Sequence, residues 1–178
     1  MNIQTLEKHL LTLVTLGEAD APVVSCYLNL EAGLDAARQA IDERVRLLRK
    51  SLPQPQRELF EQAFTQIQTR LAAGFLEESL GVAVFSRGGA QEFFLDLEFR
   101  VPLPSWIAVN STPNIYHLVE LKDTYDRYVV IIANDHNTRV LEVHLGTITD
   151  AMLAERPELQ DRVGRGWSRR CVGFGSGC

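Results

Sequence analysis

Two long helical stripes, enclosed between segments of strand pattern, constrain the fold of this chain more than any other feature of its sequence. Before them, Val23–Leu30 sets Val24, Cys26, Leu28 and Leu30 on one face of an extended segment and Ser25 and Asn29 on the other. The first stripe runs from Ala36 to about Lys50 and carries Ile41, Val45 and Leu48. It predicts a helix capped by Asp35 and stopped by Pro53 and Pro55. Phe60, Ala63, Phe64, Ile67 and Leu71, three or four apart, predict a second helix ending near Gly74. A shorter amphipathic helix, with Ile3, Leu6, Leu10, Leu13 and Val14 on one face, precedes the whole arrangement.

After the stripes the period shortens. Leu80–Phe85 is an apolar run of strand type, Gly88-Gly89 is a hairpin signal, and Phe93–Phe99 alternates. Phe93, Leu95 and Leu97 are expected to point inward, leaving Glu92, Phe94, Asp96 and Glu98 on a solvated face. Pro102, Pro104 and Pro113 mark a connecting region, with Trp106–Val109 as an edge strand. Residues 1–123 are therefore predicted to form one α/β (α+β) domain, a mixed sheet with helices packed against it.

Residues 124–178 are expected to form a second, partial unit. Tyr128–Ala133 is continuously apolar and β-branched, the pattern of a buried strand. Asn134–Asn137 is turn chemistry, and Arg139–Leu145 alternates with Leu141, Val143 and Leu145 inward. Gly146 ends that strand, and Ile148–Leu153 continues into a third. So few strands bury too little apolar area for an independent core. The unit either docks on the first or belongs to a longer protein.

The formal net charge is −5, so contact with nucleic acid would require a local basic patch. The segment Arg162–Arg170 provides one, with four arginines and no acid. Arg162, Arg165, Arg169 and Arg170 can pair with phosphates, and Trp167 can stack on an exposed base. The bland alternative is a solvated terminal run. Three widely spread cysteines without C-x-x-C favour a reducing compartment. Glu7 and Lys8 precede the apolar stretch Leu10–Leu16, and Thr12 and Thr15 interrupt it, which argues against a secretory leader. No stretch approaches the ~20 apolar residues of a membrane span. The expected location is the cytoplasm.

No Walker loop, dinucleotide fingerprint, nucleophile elbow or histidine–carboxylate metal spacing occurs, so no cofactor, metal or catalytic residue is predicted. Arg87–Gln91 looks like a Gly-Gly-Gln motif with Ala90 inserted, but hairpin chemistry accounts for it. His136 sits in a turn, and His144 is expected on the polar face of its strand with Glu142.

Several phrases carry a family likeness. Pro22–Leu30, the two helices, Gly81–Ser86, and then Tyr128–Ala133 with Thr138–Val143 and Leu145-Gly146 resemble the bacterial relatives of the archaeo-eukaryotic class 1 peptide-chain release factors. The likeness runs to about Arg170. It implies an N-terminal domain followed by the opening hairpin of the family's middle domain. In that family a Gly-Arg-Gly-Gly-Gln loop promotes peptidyl-tRNA hydrolysis at the ribosome. Here Gly164, Arg165 and Gly166 match the loop, but Trp167 and Ser168 stand where Gly and Gln belong. The resemblance thus implies a ribosome- or RNA-interacting protein, with ribosomal RNA or tRNA as partner, and without the hydrolytic glutamine. Two other readings stay open. One is a small hydrolase using a cleft between the units, with His136 or His144 as general base. The other is a fragmentary domain with no activity of its own.

Overall fold

A computed structural model describes residues 3–155 and 168–170. Helix α1 (Ile3–Thr15) leads into strand β1 (Val23–Asn29), then helices α2 (Leu34–Ser51) and α3 (Gln54–Ala72). Strands β2 (Gly81–Arg87), β3 (Phe93–Phe99) and β4 (Trp106–Asn110) follow, and then helix α4 (Tyr116–Thr124). The first sheet has the order β3-β2-β1-β4. The class is α+β, as expected, but this sheet is antiparallel throughout rather than mixed. The two-helix excursion from β1 returns the chain beside β1 in the opposite direction, so no parallel crossover forms.

Helices cover both faces. On one, Val24, Cys26 and Leu28 join Val82, Val84 and Ile107 against Ile41 and Val45 of α2 and Phe60, Phe64 and Ile67 of α3. On the other, Tyr27, Ala83, Phe85, Leu97 and Phe99 meet Leu6 and Leu13 of α1 and Leu118 and Leu121 of α4. β1 and β2 are therefore buried on both faces. Val14, expected on the inner face of α1, is 66% exposed, because the helix turns the Leu6–Leu10–Leu13 line to the core. Asp35 does not cap α2. It lies within the first turn, 3.7 Å from Arg38, and Gly33 at φ 89° takes the N-cap position. Helix α4 was not anticipated in the proline-marked connection; its signal was only Leu118 and Leu121, three apart.

The edges of this sheet are tied down. Arg44 of α2 donates from Nε to the Ile107 carbonyl (2.5 Å) and lays its guanidinium over the Trp106 ring. The outer face of β3 is not simply solvated. Arg70 of α3 bonds Asp96 and Glu98 at 2.5 Å each and the Gly74 carbonyl, while Glu98 also accepts from Ser79 Oγ at 2.6 Å. A cation has gathered the two carboxylates that simple alternation assigned to water.

Strands β5 (Tyr128–Ala133), β6 (Asn137–His144), β7 (Thr147–Glu155) and β8 (Ser168–Arg170) build a second antiparallel sheet in that order. It has one strand, β8, beyond the hairpin and third strand that were anticipated. Its β6–β7 turn is Leu145-Gly146, both at positive φ (46° and 70°), the conformation a two-residue hairpin needs. Leu145 is a costly residue there, but it is only 2% exposed and joins the α1–α4 side of the first core. A Cβ on Gly146 would lie 2.8 Å from Val101 Cγ1. One turn thus pins the second sheet to the first.

Candidate nucleic-acid interface

The second sheet has a near end and a far end. At the near end, Leu145-Gly146 reaches the first core. The far end carries the β5–β6 turn, where Asn134 N–H donates to the Asn137 carbonyl (2.9 Å) and Asn134 Oδ1 accepts from the His136 and Asn137 amides. Asn137 is the register partner of Glu155, and Glu155 is the register partner of Ser168. The chain therefore leaves β7 and re-enters β8 at neighbouring points, ~5 Å apart across an antiparallel pair. Both points lie at the far end, beside the His136 turn.

Ser168–Arg170, the described part of the arginine-rich segment, therefore lie at the far end. Arg169 and Arg170 lie on β8, level with Ala154 and Leu153. Arg162, Arg165 and Trp167 lie outside the described residues. Leu153 is also the partner of Arg139 on β6, which places Arg139, Leu153 and Arg170 in one row across three strands. The exposed Arg139 was missed in the sequence, because the row emerges only once three strands are paired.

The two histidines are not brought together. His136 is in the far-end turn and His144 closes β6 at the near end, roughly 25 Å away at ~3.3 Å per strand residue. His144 was expected on a polar face. Instead it is 7% exposed, with its Nε2 unpaired among the described residues, because it directly precedes the Leu145 plug and is carried into the seam. The register also shifts here: Glu142 faces Asp150 and Val143 faces Ile148, leaving Thr149 to bond the Glu142 carbonyl.

Tyr128–Ala133 departs most from expectation. The run predicted a buried strand, yet Tyr128, Val129, Ile131 and Ile132 are 48–66% exposed. β5 is an edge strand, and among the described residues no helix covers either of its faces.

The Cys26 thiol is buried in the first core, and burial pushes its pKa up to about 12. Tyr27 is raised by burial and then by the neighbouring Cys26, and its hydroxyl donates to the Asn114 carbonyl at 2.5 Å. No group of three His, Cys, Asp or Glu side chains among the described residues is arranged to hold a metal. No described helix is long and apolar enough to cross a membrane.

Residues 113–174 match the family model for bacterial archaeo-eukaryotic release factor family 10. The match takes in α4, the second sheet and the arginine-rich segment. No curated protein sequence matches the chain. Among solved structures, the archaeal translation termination factor aRF1 superposes with a TM-score of 0.55 at 12% identity over 88% of this chain and 46% of that one. A second structure, described as an archaeal protein, gives 0.53 at 13% identity over 94% and 49%. The chain thus spans about half the length of these structures, and at such identities the likeness is one of fold.

Proposed function

We propose that this chain, which over residues 113–174 is like bacterial archaeo-eukaryotic release factor family 10 and in fold is like archaeal aRF1, is a translation-associated protein. In this reading it is cytoplasmic and touches ribosomal RNA or tRNA through the segment Arg162–Arg170. The observation that supports it is the register of β8, which holds Ser168–Arg170 at the end of the second sheet remote from the first core. A basic segment held there can approach a polyanion while the acidic remainder of the chain stays back. Arg165, Arg169 and Arg170 are phosphate contacts, Arg162 extends the basic run, and Trp167 is a stacking group.

The same reading assigns no peptidyl-tRNA hydrolysis. The family loop ends in Gly-Gln, and this chain has Trp167 and Ser168. Without the glutamine there is no side-chain amide at the reacting ester. Without the glycine the backbone loses the freedom needed for close approach.

Co-sedimentation with bacterial ribosomes tests the proposal. The chain is expected to pellet at low salt and to be released at moderate salt. Arg169→Glu with Arg170→Glu should abolish pelleting and, in titrations with RNA, lower the log–log salt slope by roughly one to two. Pelleting that is indifferent to both salt and the double substitution would overturn the assignment.

A further inference from the structure

Among the described residues the outer edge of β5 has no strand partner, and it differs from the outer edges of β4 and β3. β4 is guarded by Arg44, whose Nε takes the Ile107 carbonyl, and β3 carries acidic residues clasped by Arg70. β5 has no proline, lysine, bulge or inward charge between Tyr128 and Ala133. Its side chains are apolar on both faces and largely exposed. Proteins rarely leave such an edge open, because unpaired N–H and C=O groups beside apolar side chains recruit another strand.

The alternation of the ladder identifies the free groups. Asn134 bonds Asn137 of β6, so Asn134, Ile132, Val130 and Tyr128 direct their backbone groups into the sheet. Val129, Ile131 and Ala133 direct theirs outward. We infer that this edge pairs with the same edge of a second copy of the chain, antiparallel about a two-fold axis through Ile131.

Two features favour a copy of the chain over any other strand. First, in this register Ile131 faces its own counterpart and Val129 faces Ala133, so every outward residue meets an outward residue. All the free backbone groups from Val129 to Ala133 are then satisfied. Second, the register sets Arg127 of each copy level with Asp135 of the other, giving two symmetric opposite-charge pairs. Arg127 already holds Glu142 at 2.7 Å but stays 66% exposed, and Asp135 has no ion pair among the described residues. Shifting the axis to Val130 would put Arg127 opposite apolar Ala133 and lose both pairs. The contact is isologous, so it consumes both edges and closes at a dimer joining two four-stranded sheets into one.

Sedimentation equilibrium of the purified chain over a wide concentration range provides the test. A monomer–dimer equilibrium is expected. Ile131→Pro removes an outward N–H and leaves the β5–β6 ladder intact, so the variant should keep the parent's circular dichroism spectrum and cooperative unfolding yet sediment as a monomer. Asp135→Arg, a surface change that does not depend on tolerance of proline, should weaken the dimer about five- to tenfold, and Asp135→Glu should not. A parent that is monomeric throughout, or a dimer untouched by both Ile131→Pro and Asp135→Arg, would overturn the inference. A monomer whose Ile131 amide is nevertheless protected from hydrogen exchange would also overturn it, by giving the edge to another segment of the chain.

Discussion

The two sheets start from similar strand chemistry and end in opposite environments. Val82–Phe85 and Val129–Ala133 are both unbroken apolar runs, yet the first is fully buried and the second mostly exposed. The first lies in an inner strand of a sheet with α2 and α3 on one face and α1 and α4 on the other. The second forms an edge. Four strands of the second sheet meet the rest of the described structure mainly through one two-residue turn. An apolar run records that a strand is suited to burial on both faces; the covering has to come from other elements. The first sheet has its covering within residues 3–124, whereas the second does not have it among the residues described.

This contrast predicts unequal costs for truncating apolar side chains. Phe60 is completely buried between α3 and β1–β2, stacked on Phe64 at 5.5 Å. Phe60→Ala should cost about 3–5 kcal/mol, since it loses the transfer free energy and leaves a cavity that close-packed neighbours cannot fill. Ile132→Ala, at a residue 55% exposed, should cost less than about 1 kcal/mol. Chemical denaturation of the two variants measures both. Equal costs would mean that the second sheet is buried as deeply as the first, and the contrast would fail.

A smaller effect is expected where the two sheets touch. Leu145→Ala deletes the side chain that the β6–β7 turn inserts into the first core, so a loss of about 2–3 kcal/mol follows from burial. The residue is held at φ 46°, and alanine carries the same backbone cost, so the change reports packing alone. Limited proteolysis sharpens the result. With the plug removed, cleavage between Tyr125 and Tyr128 should become faster while the first core resists. If Leu145→Ala leaves both stability and cleavage unchanged, the turn is not what joins the sheets.

The first core was largely legible in the sequence, because helical and strand periods survive wherever one face of an element meets a fixed partner. Ile41, Val45, Phe60, Ala63, Phe64, Ile67 and Leu71 fall where their spacing places them. The readings that failed depend on distant pairings. Asp96 and Glu98 alternate like solvated residues, and nothing nearby in sequence reveals that Arg70 reaches across to both. His144 alternates onto a polar face until the turn after it is found plugged into another core. At the candidate interface, Arg169 and Arg170 were legible as charge, but Arg139 joined their row only through the pairing of β6 with β7 and β7 with β8. The exposure of β5 was hidden for a different reason. Local pattern reports what a strand tolerates on its faces, and the number of layers around it is a property of the whole molecule.

A further small effect uses Cys26 as a gauge of how dry the first core is. Its ordinary pKa is 9.0, and burial in the native state raises it to about 12. A group with a raised native pKa binds its proton more tightly when folded. Its contribution is complete below pH 9 and is lost as pH climbs from 9 towards 12, because the unfolded chain releases the proton first. Between pH 8 and pH 10 the loss from this one group should be on the order of 1 kcal/mol, within the limit of about 1.4 kcal/mol per pH unit. Tyr27 is raised in the same direction and acts mainly above that window, so the comparison has to be with a variant and not with the parent alone. Cys26→Ala should show a shallower fall in stability over pH 8–10, whatever its stability at neutral pH. In the parent, a thiol reagent should modify Cys26 only at the rate of core opening, even at pH 9. Parallel pH curves for parent and variant, with rapid labelling of Cys26 itself as located by peptide mapping, would mean that water reaches β1 and that the first sheet is not the sealed half of the pair.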